Sequence, residues 1–247
     1  MRINTNVASL NAQESATKTN ANLANSLEKL SSGLRINKAS DDASGLSIAD
    51  KLRTQASSIG QGISNANSAV SLTQIADKAM AEESNILDII KTKLLQASTA
   101  TTSSAGVGAI AKDVDKLLDQ INNIATQTNY NGISLLQDGT SANGSTAGAL
   151  TFQTGETSSD TTVTAGGVQA NVTGMALGTL HAAVTSTVQM TQSEASAFLD
   201  DIDTALNTLN GWRADFGSTQ NQLESATRNM MTQQTNIKAA ESVIRDV

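Results

Sequence analysis

The stretch IDTALNTLNGWRADFGSTQNQLESATRNMMTQQTNIKAAESVIRDV, from Ile202 to Val247, carries an apolar residue at every seventh position: Ile202, Leu209, Phe216, Leu223, Met230, Ile237 and Ile244. Three residues after each stands a mixed second series, Ala205, Trp212, Thr219, Ala226, Gln233, Ala240 and Val247. An unbroken period of seven describes one long helix with a seam along one side. A lone helix cannot hide such a seam from water, so another long helix must cover it, from this chain or from another molecule. Thr191-Gln192-Ser193-Glu194 reads as the capping box that opens this helix. The heptads run to Val247 with no Gly or other stop signal after Ile237. The helix is therefore expected to continue beyond a cut at that point.

The remaining sequence supplies candidate partners. Between residues 45 and 97, Ile48, Leu52, Ala56, Ile59, Ile63, Ala66 and Val70 step by three or four. Ala76, Ala79, Ile86, Ile90, Leu94 and Ala97 continue the stripe, interrupted by Glu83. At 1.5 Å per residue such a helix is roughly 80 Å long. Gly60 and Gly62 inside it mark either close approach by another backbone or tolerated flaws. The adjacent acids Asp41 and Asp42 suit a helix start, with Ser40 or Asp41 as the cap, better than metal or acid–base work. Ahead of them, residues 3–33 carry a helical stripe only at Leu23, Leu27, Leu30 and Leu34, which predicts a helix dependent on a partner.

Residues 98–108 read as a Ser/Thr/Gly turn, followed by a shorter helix with Val114, Leu117, Ile121 and Ile124 on one face. That helix stops before Asn131-Gly132, a turn signal. Residues 138–190 change to Gly, Thr and Ser, with β-like runs at 149–153 and 161–164, and predict hairpins and loops. The expected fold is mainly α: a long antiparallel helical-bundle or coiled-coil rod with a small β-hairpin and loop region.

Composition agrees with a thin core. Aromatic residues make up 2% of the chain, hydrophobic residues 38%, and Pro and Cys are absent. Without Pro, long helices run uninterrupted; without Cys, no disulfide or thiolate site exists. A net charge of −7 disfavours a nucleic-acid partner, which needs clustered Lys and Arg. No apolar run is long enough to span a membrane or act as a cleaved signal. The single His181 lacks the partners of a triad or zinc motif, and no phosphate loop or dinucleotide fingerprint is present. Asp200, Asp201 and Asp203 sit where a helix N-terminus favours their charge, without the spacing of a calcium loop. No catalytic, metal or cofactor site is expected. The Ser/Thr tract between Thr140 and Thr191 is compatible with O-linked sugar but is ordinary loop composition.

Several motifs together resemble bacterial flagellin. They are Leu30-Ser31-Ser32-Gly33-Leu34-Arg35-Ile36-Asn37, Asp41-Asp42-Ala43-Ser44-Gly45, and the opening Ile3-Asn4-Thr5-Asn6. Asn65-Ala66-Asn67, Asn131-Gly132 after Thr126-Gln127-Thr128, Phe216-Gly217-Ser218-Thr219-Gln220-Asn221 and Ile244-Arg245-Asp246 agree as well. The resemblance implies an extracellular filament subunit for motility, exported through the flagellar type III channel and polymerised through its terminal helices. It implies an inner-core helix over residues 1–33 and a spoke over 34–44. It further implies a helical rod domain over 45–137 with 193–247, and a short surface-exposed variable region over 138–192. The implied partners are other flagellin subunits, the export apparatus, the cap and the secretion chaperone, without nucleic acid or membrane.

Two departures from the family pattern bear on those partners. Flagellins continue past Ile-Arg-Asp into another helix, so assembly of this chain alone and chaperone binding are expected to fail. Flagellins sensed by the toll-like flagellin receptor resemble Q-R-V-R-E-L-A-V where this chain has Asp88-Ile89-Ile90-Lys91-Thr92-Lys93-Leu94-Leu95. Ile89 stands in place of an Arg and Thr92 in place of the Glu. These exchanges resemble those of poorly sensed flagellins from the Campylobacter group and imply weak or absent receptor activation through Asp88, Ile89, Lys91, Thr92 and Lys93. In the plainer reading Ile86, Ile90 and Leu94 pack the rod and the polar residues are solvated. The related hook–filament junction protein is the alternative; it usually carries Pro after the paired Asp, where this chain has Ala43.

Overall fold

Helix boundaries follow local capping chemistry. In the computed structural model, which describes residues 6–138, 144–156, 162–186 and 190–246, α1 covers Val7–Ser32. The Asn6 side chain caps it by accepting the Ser9 N–H, and Gly33 closes it in the left-handed conformation at φ 70. Helix α2 covers Ala43–Ser98, 56 residues. Its cap is Asp42, whose Oδ1 accepts the N–H groups of Ser44 at 3.0 Å and Gly45 at 2.9 Å. Ser40 and Asp41, the expected caps, are displaced from that role. Asp41 Oδ2 instead accepts from the backbone of Asn37 and Lys38, both at 3.1 Å. Those N–H groups, Lys38 foremost, hold its carboxyl below the usual carboxylate range.

Helix α3, Ser104–Gln127, begins inside the stretch expected to be a turn; Ser103 caps it by accepting from Gly106 N–H. Strands β1 (Asn129–Tyr130) and β2 (Ile133–Ser134) then pair across Asn131 and Gly132, at φ 50 and 81. Two successive positive φ values are what a tight hairpin turn requires. Strands β3 (Leu150–Gln153) and β4 (Thr162–Ala165) form a second antiparallel ribbon, with Leu150 opposite Ala165. The variable segment also contains a helix absent from the sequence reading, α4 over Gly178–Thr185. Helix α5 covers Gln192–Arg245, 54 residues. It opens with the expected capping box: Glu194 Oε2 accepts the Thr191 N–H at 2.7 Å, and Thr191 Oγ1 accepts the Glu194 N–H at 3.3 Å. Ile3, Asn4, Thr5, Thr161, Val247 and part of the Ser/Thr tract lie outside the described residues.

The chain divides into two compact units, one of residues 62–228 and one of residues 1–61 with 229–247. In the first, α2 and α5 run antiparallel. Lys91 of α2 pairs with Asp203, and Asp77 accepts from Arg213 Nε at 2.9 Å, so ascending positions on one helix meet descending ones on the other. Helix α3 doubles back along α2, with Lys93 Nζ 2.8 Å from Asp113. Leu87, Ile90 and Leu94 of α2 are fully buried, as are Val114, Leu118 and Ile121 of α3 and Ile202 and Leu209 of α5. Burying a Leu or Ile is worth roughly 1.5–3 kcal/mol. The face of α3 centres on Leu118; Leu117 and Ile124, two of the expected residues, pack at its margin. The segment after β4 adds Val168, Val172, Met175, Leu177 and Leu180 to the same core. Buried polar groups there are paired: Asn171 Nδ2 donates to Gln137 Oε1 at 2.8 Å and Gly144 O at 2.7 Å, and Val172 N–H donates to Asn122 Oδ1 at 3.1 Å.

Glu83, which interrupts the apolar stripe, departs from this pattern. Its side chain is fully buried and neither carboxyl oxygen has a hydrogen-bond partner. Burial pushes its carboxyl up to about 9, so it is neutral at pH 7.

In the second unit, α2 and α5 again run antiparallel, with Gln234 Nε2 donating to Ala56 O at 3.0 Å. A Cβ on Gly60 would lie 2.7 Å from that Nε2. Of the two readings left open for Gly60, close approach holds, but by the Gln234 side chain rather than by a backbone.

Candidate functional site

Helix α1 is the feature that packing within the chain leaves unexplained. None of its 26 residues is buried. Val7, Leu10, Leu23, Leu27 and Leu30 are all more than half exposed, Leu30 the most at 78%. Leu23, Leu27 and Leu30 follow at intervals of four and three, which places them on one helical face. Thr17 and Thr19 turn their hydroxyls onto the carbonyls of Gln13 and Ser15 and offer nothing across the helix.

The segment after α1 is anchored. Lys38 Nζ pairs with Glu28 and Lys29 Nζ lies 3.6 Å from Asp41, tying the segment to the end of the helix. Asn37 Nδ2 donates to Ser32 Oγ at 2.6 Å. Across the sequence, Arg35 N–H donates to Arg245 O at 2.7 Å and Arg35 Nη2 to Ile244 O at 2.7 Å. Leu34 bridges to Asp246. Ile36 is buried at 3% exposure. A Cβ on Gly45 would come within 2.7 Å of Ile36 Cδ1 and 2.6 Å of Asp42 Oδ2, so any larger residue must push one or both of these side chains aside.

The α5 seam divides. Ile202, Leu209, Phe216, Leu223 and Met230 are buried, whereas Ile237 and Ile244 are only partly so. In the second series Ala205 and Thr219 are buried, Trp212 and Ala226 partly buried, and Gln233 and Ala240 exposed. The stretch compared with the receptor motif also divides. Lys91 pairs with Asp203 and Lys93 with Asp113, while Asp88, Ile89 and Thr92 face solvent. Thr92 Oγ1 donates to Ile89 O at 2.8 Å, which turns it back on its own helix. Leu87, Ile90 and Leu94 fill the core, with Ile86 partly buried beside it.

Of the acids at the start of α5, Asp201 accepts from Thr179 Oγ1 at 3.4 Å and Asp203 pairs with Lys91. Sequence reasoning gave His181 no partner, but its Nε2 lies 3.7 Å from Asp115 Oδ1. Asp115 precedes it by more than sixty positions, so no local motif could reveal the pairing. No helix among the described residues is long and apolar enough to cross a membrane.

Comparison with known proteins agrees with this architecture. Residues 3–141 match the bacterial flagellin N-terminal helical region, and residues 199–247 the bacterial flagellin C-terminal helical region. The chain belongs to the bacterial flagellin family, a family of structural proteins. It is 46% identical to flagellin B of Helicobacter pylori over 164 residues, covering 64% of this chain and 32% of that protein. It is 33% identical to the flagellar filament 33 kDa core protein of Treponema phagedenis, covering all of this chain and 87% of that protein. The match thus spans about a third of the Helicobacter relative's length and most of the Treponema one's. The crystal structure of Bacillus cereus flagellin aligns with a TM-score of 0.56 at 28% identity, covering 72% of this chain and 94% of that one. A putative flagellar hook-associated protein from Vibrio parahaemolyticus aligns with a TM-score of 0.68 at 13% identity, covering 83% and 99%; at that identity the likeness is one of fold.

Proposed function

We propose that this protein is a structural subunit of the bacterial flagellar filament, exported by the flagellar type III apparatus and assembled outside the cell for motility. The observation that carries the reading is α1: a capped 26-residue helix that buries none of its residues and presents leucines along one face. Such a helix gains its stability from neighbours, and identical subunits meeting through unlike faces build an open helical assembly. Residues 1–33 are then the inner-core helix and 34–44 the spoke. Residues 45–137 with 193–247 form the rod domain, and 138–192 the outward surface. The mechanism is lateral and lengthwise packing, with no turnover and no cofactor. Export apparatus and cap are the further partners.

The test is complementation of a flagellin-deficient bacterium with the gene carrying this chain. The unaltered gene, with this chain extended beyond Val247, is expected to give filaments by electron microscopy, and this chain alone is expected to give none. The triple variant L23S/L27S/L30S is expected to give none while the subunit is still secreted. Filaments as abundant from the variant as from the unaltered gene would overturn the reading.

Sequence identity to flagellins, together with Ala43 after the paired acids, places the hook–filament junction alternative second. For the animal receptor we infer weak or absent activation. The exposed face of α2 offers Ile89 and a self-bonded Thr92 where the sensed family motif has Arg and Glu. Full-strength signalling in a cell reporter assay would remove this inference.

A further inference from the structure

The geometry points to a binding site for a divalent transition-metal ion, with Zn2+ as its representative, formed by Asp115 and Asp119 of α3 and His181 of α4. Asp115 and Asp119 are four residues apart and so lie one turn apart on one face of α3. His181 is carried onto that face by its neighbours: Leu180 and Val184 of α4 are buried in the core. One ligand atom from each of the three side chains lies within 4.8 Å of the other two. The closest pair recorded, His181 Nε2 and Asp115 Oδ1, is 3.7 Å apart. A tetrahedral Zn2+ with bonds near 2.0–2.1 Å holds its ligand atoms about 3.3–3.4 Å from one another. The three ligand atoms therefore stand within about 1.5 Å of the spacing a bound ion would impose.

A second observation is independent of the clustering. Asp115 Oδ1 is shut off from solvent and accepts no hydrogen bond. A buried acceptor without a hydrogen bond is costly, and the imidazole at 3.7 Å is too far to supply one, whereas a bound cation would offset that cost. The donor set identifies the class of ion. One imidazole with two carboxylates suits Zn2+ and its first-row neighbours, whereas Ca2+ and Mg2+ favour shells made of oxygen alone. All three residues are partly buried, so water completes the coordination and the ion exchanges with solvent. The competing cation is Lys116, whose Nζ is 3.4 Å from Asp119 Oδ2. That pair is largely exposed, and such pairs are worth little, so Asp119 can exchange it for a metal ion. An ion so held would clasp α4 to α3.

The sole histidine of the chain makes the test direct, because its ring gives the only imidazole proton signals. The full chain is titrated with ZnCl2 and followed by calorimetry and by proton NMR of those signals. The expected result is one ion per chain, with the imidazole signals moving in step with the heat. His181→Gln and Asp115→Asn should each weaken binding by at least about tenfold, as loss of a ligand must if loss of a supporting group already costs 10–100-fold. Circular dichroism checks that both variants keep their helices. Imidazole signals unmoved at saturating Zn2+ would overturn the proposal, and that measurement needs no variant. So would an Asp115→Asn chain that is folded and binds as tightly as the unaltered one.

Discussion

Helices α1 and α5 both carry large apolar residues at helical spacing, yet they meet opposite fates. In α5, five of the seven seam residues are buried against helices of the same chain; in α1 none of the leucines is. Apolar periodicity records that a helix is to be covered and says nothing of whose atoms will cover it. The seam of α5 meets a second stripe in α2, and the two close on each other. The stripe of α1 is covered by no other helix among the described residues.

The sharpest way to break this contrast is to truncate one residue on each side of it. Phe216→Ala is expected to cost about 3–5 kcal/mol in urea unfolding, the usual loss for a buried aromatic. Leu27→Ser, a comparable insult by composition alone, is expected to change the stability of the isolated subunit by less than about 0.5 kcal/mol. Equal losses would show that α1 is covered within the monomer.

Glu83 sharpens the comparison from inside the covered region. Its folded carboxyl is raised to about 9 by burial, so the folded chain keeps a proton that the unfolded chain releases above the ordinary glutamate value of 4.5. The stabilising contribution is complete below that lower value and is lost as pH rises through the window between the two, at up to about 1.4 kcal/mol per pH unit. Glu83→Leu is expected to flatten this slope and to raise stability at pH 8 by about 1–4 kcal/mol. Urea midpoints at pH 5 and pH 8 measure both. An unchanged slope would show that Glu83 is solvated in solution.

Smaller effects belong to the segment between α1 and α2 and to the start of α5. Gly45→Ala should cost about 1–3 kcal/mol through the overlap with Ile36 and Asp42. Thr191→Ala should cost about 1 kcal/mol by removing half of the capping box. Thermal unfolding ranks the two. A reversed order would mean that the Asp42 side chain swings aside without loss.

These contrasts also explain what could be read from the sequence alone. The seam, the capping box and the Asn131-Gly132 turn were legible because each is a local rule with a fixed period or offset, whereas the short strands that flank the turn were not. The runs at 149–153 and 161–164 were legible as strands because β-prone residues alternate there. Helix α4 was not. Its eight residues, GTLHAAVT, have no side-chain cap, and Leu177 stands at the N-cap position. Leu180 and Val184 hold it by contact with a distant core, which no local rule encodes. The first turn of α3 hid in the same way, because Ser104, Ala105 and Gly106 have the composition of the turn before them. Asp42 caps α2 in place of the expected Ser40 or Asp41, and the backbone of Asn37 and Lys38 claims the Asp41 carboxylate instead. The Asp115–His181 pairing was invisible for the reason that hid α4, since only the docked helix brings the ring to the carboxylate.

The strap at Arg35 has a consequence for the order of events in folding. The main-chain oxygens of Ile244 and Arg245 are satisfied by a residue that enters the world some two hundred positions earlier. A polypeptide emerging N-terminus first holds Arg35 without these acceptors until Ile244 and Arg245 have appeared. Contacts so remote in sequence are slow to form. Residues 34–36 are therefore expected to lock onto α5 only after its last described turn has formed, so the strap is a late contact in the folding of this unit.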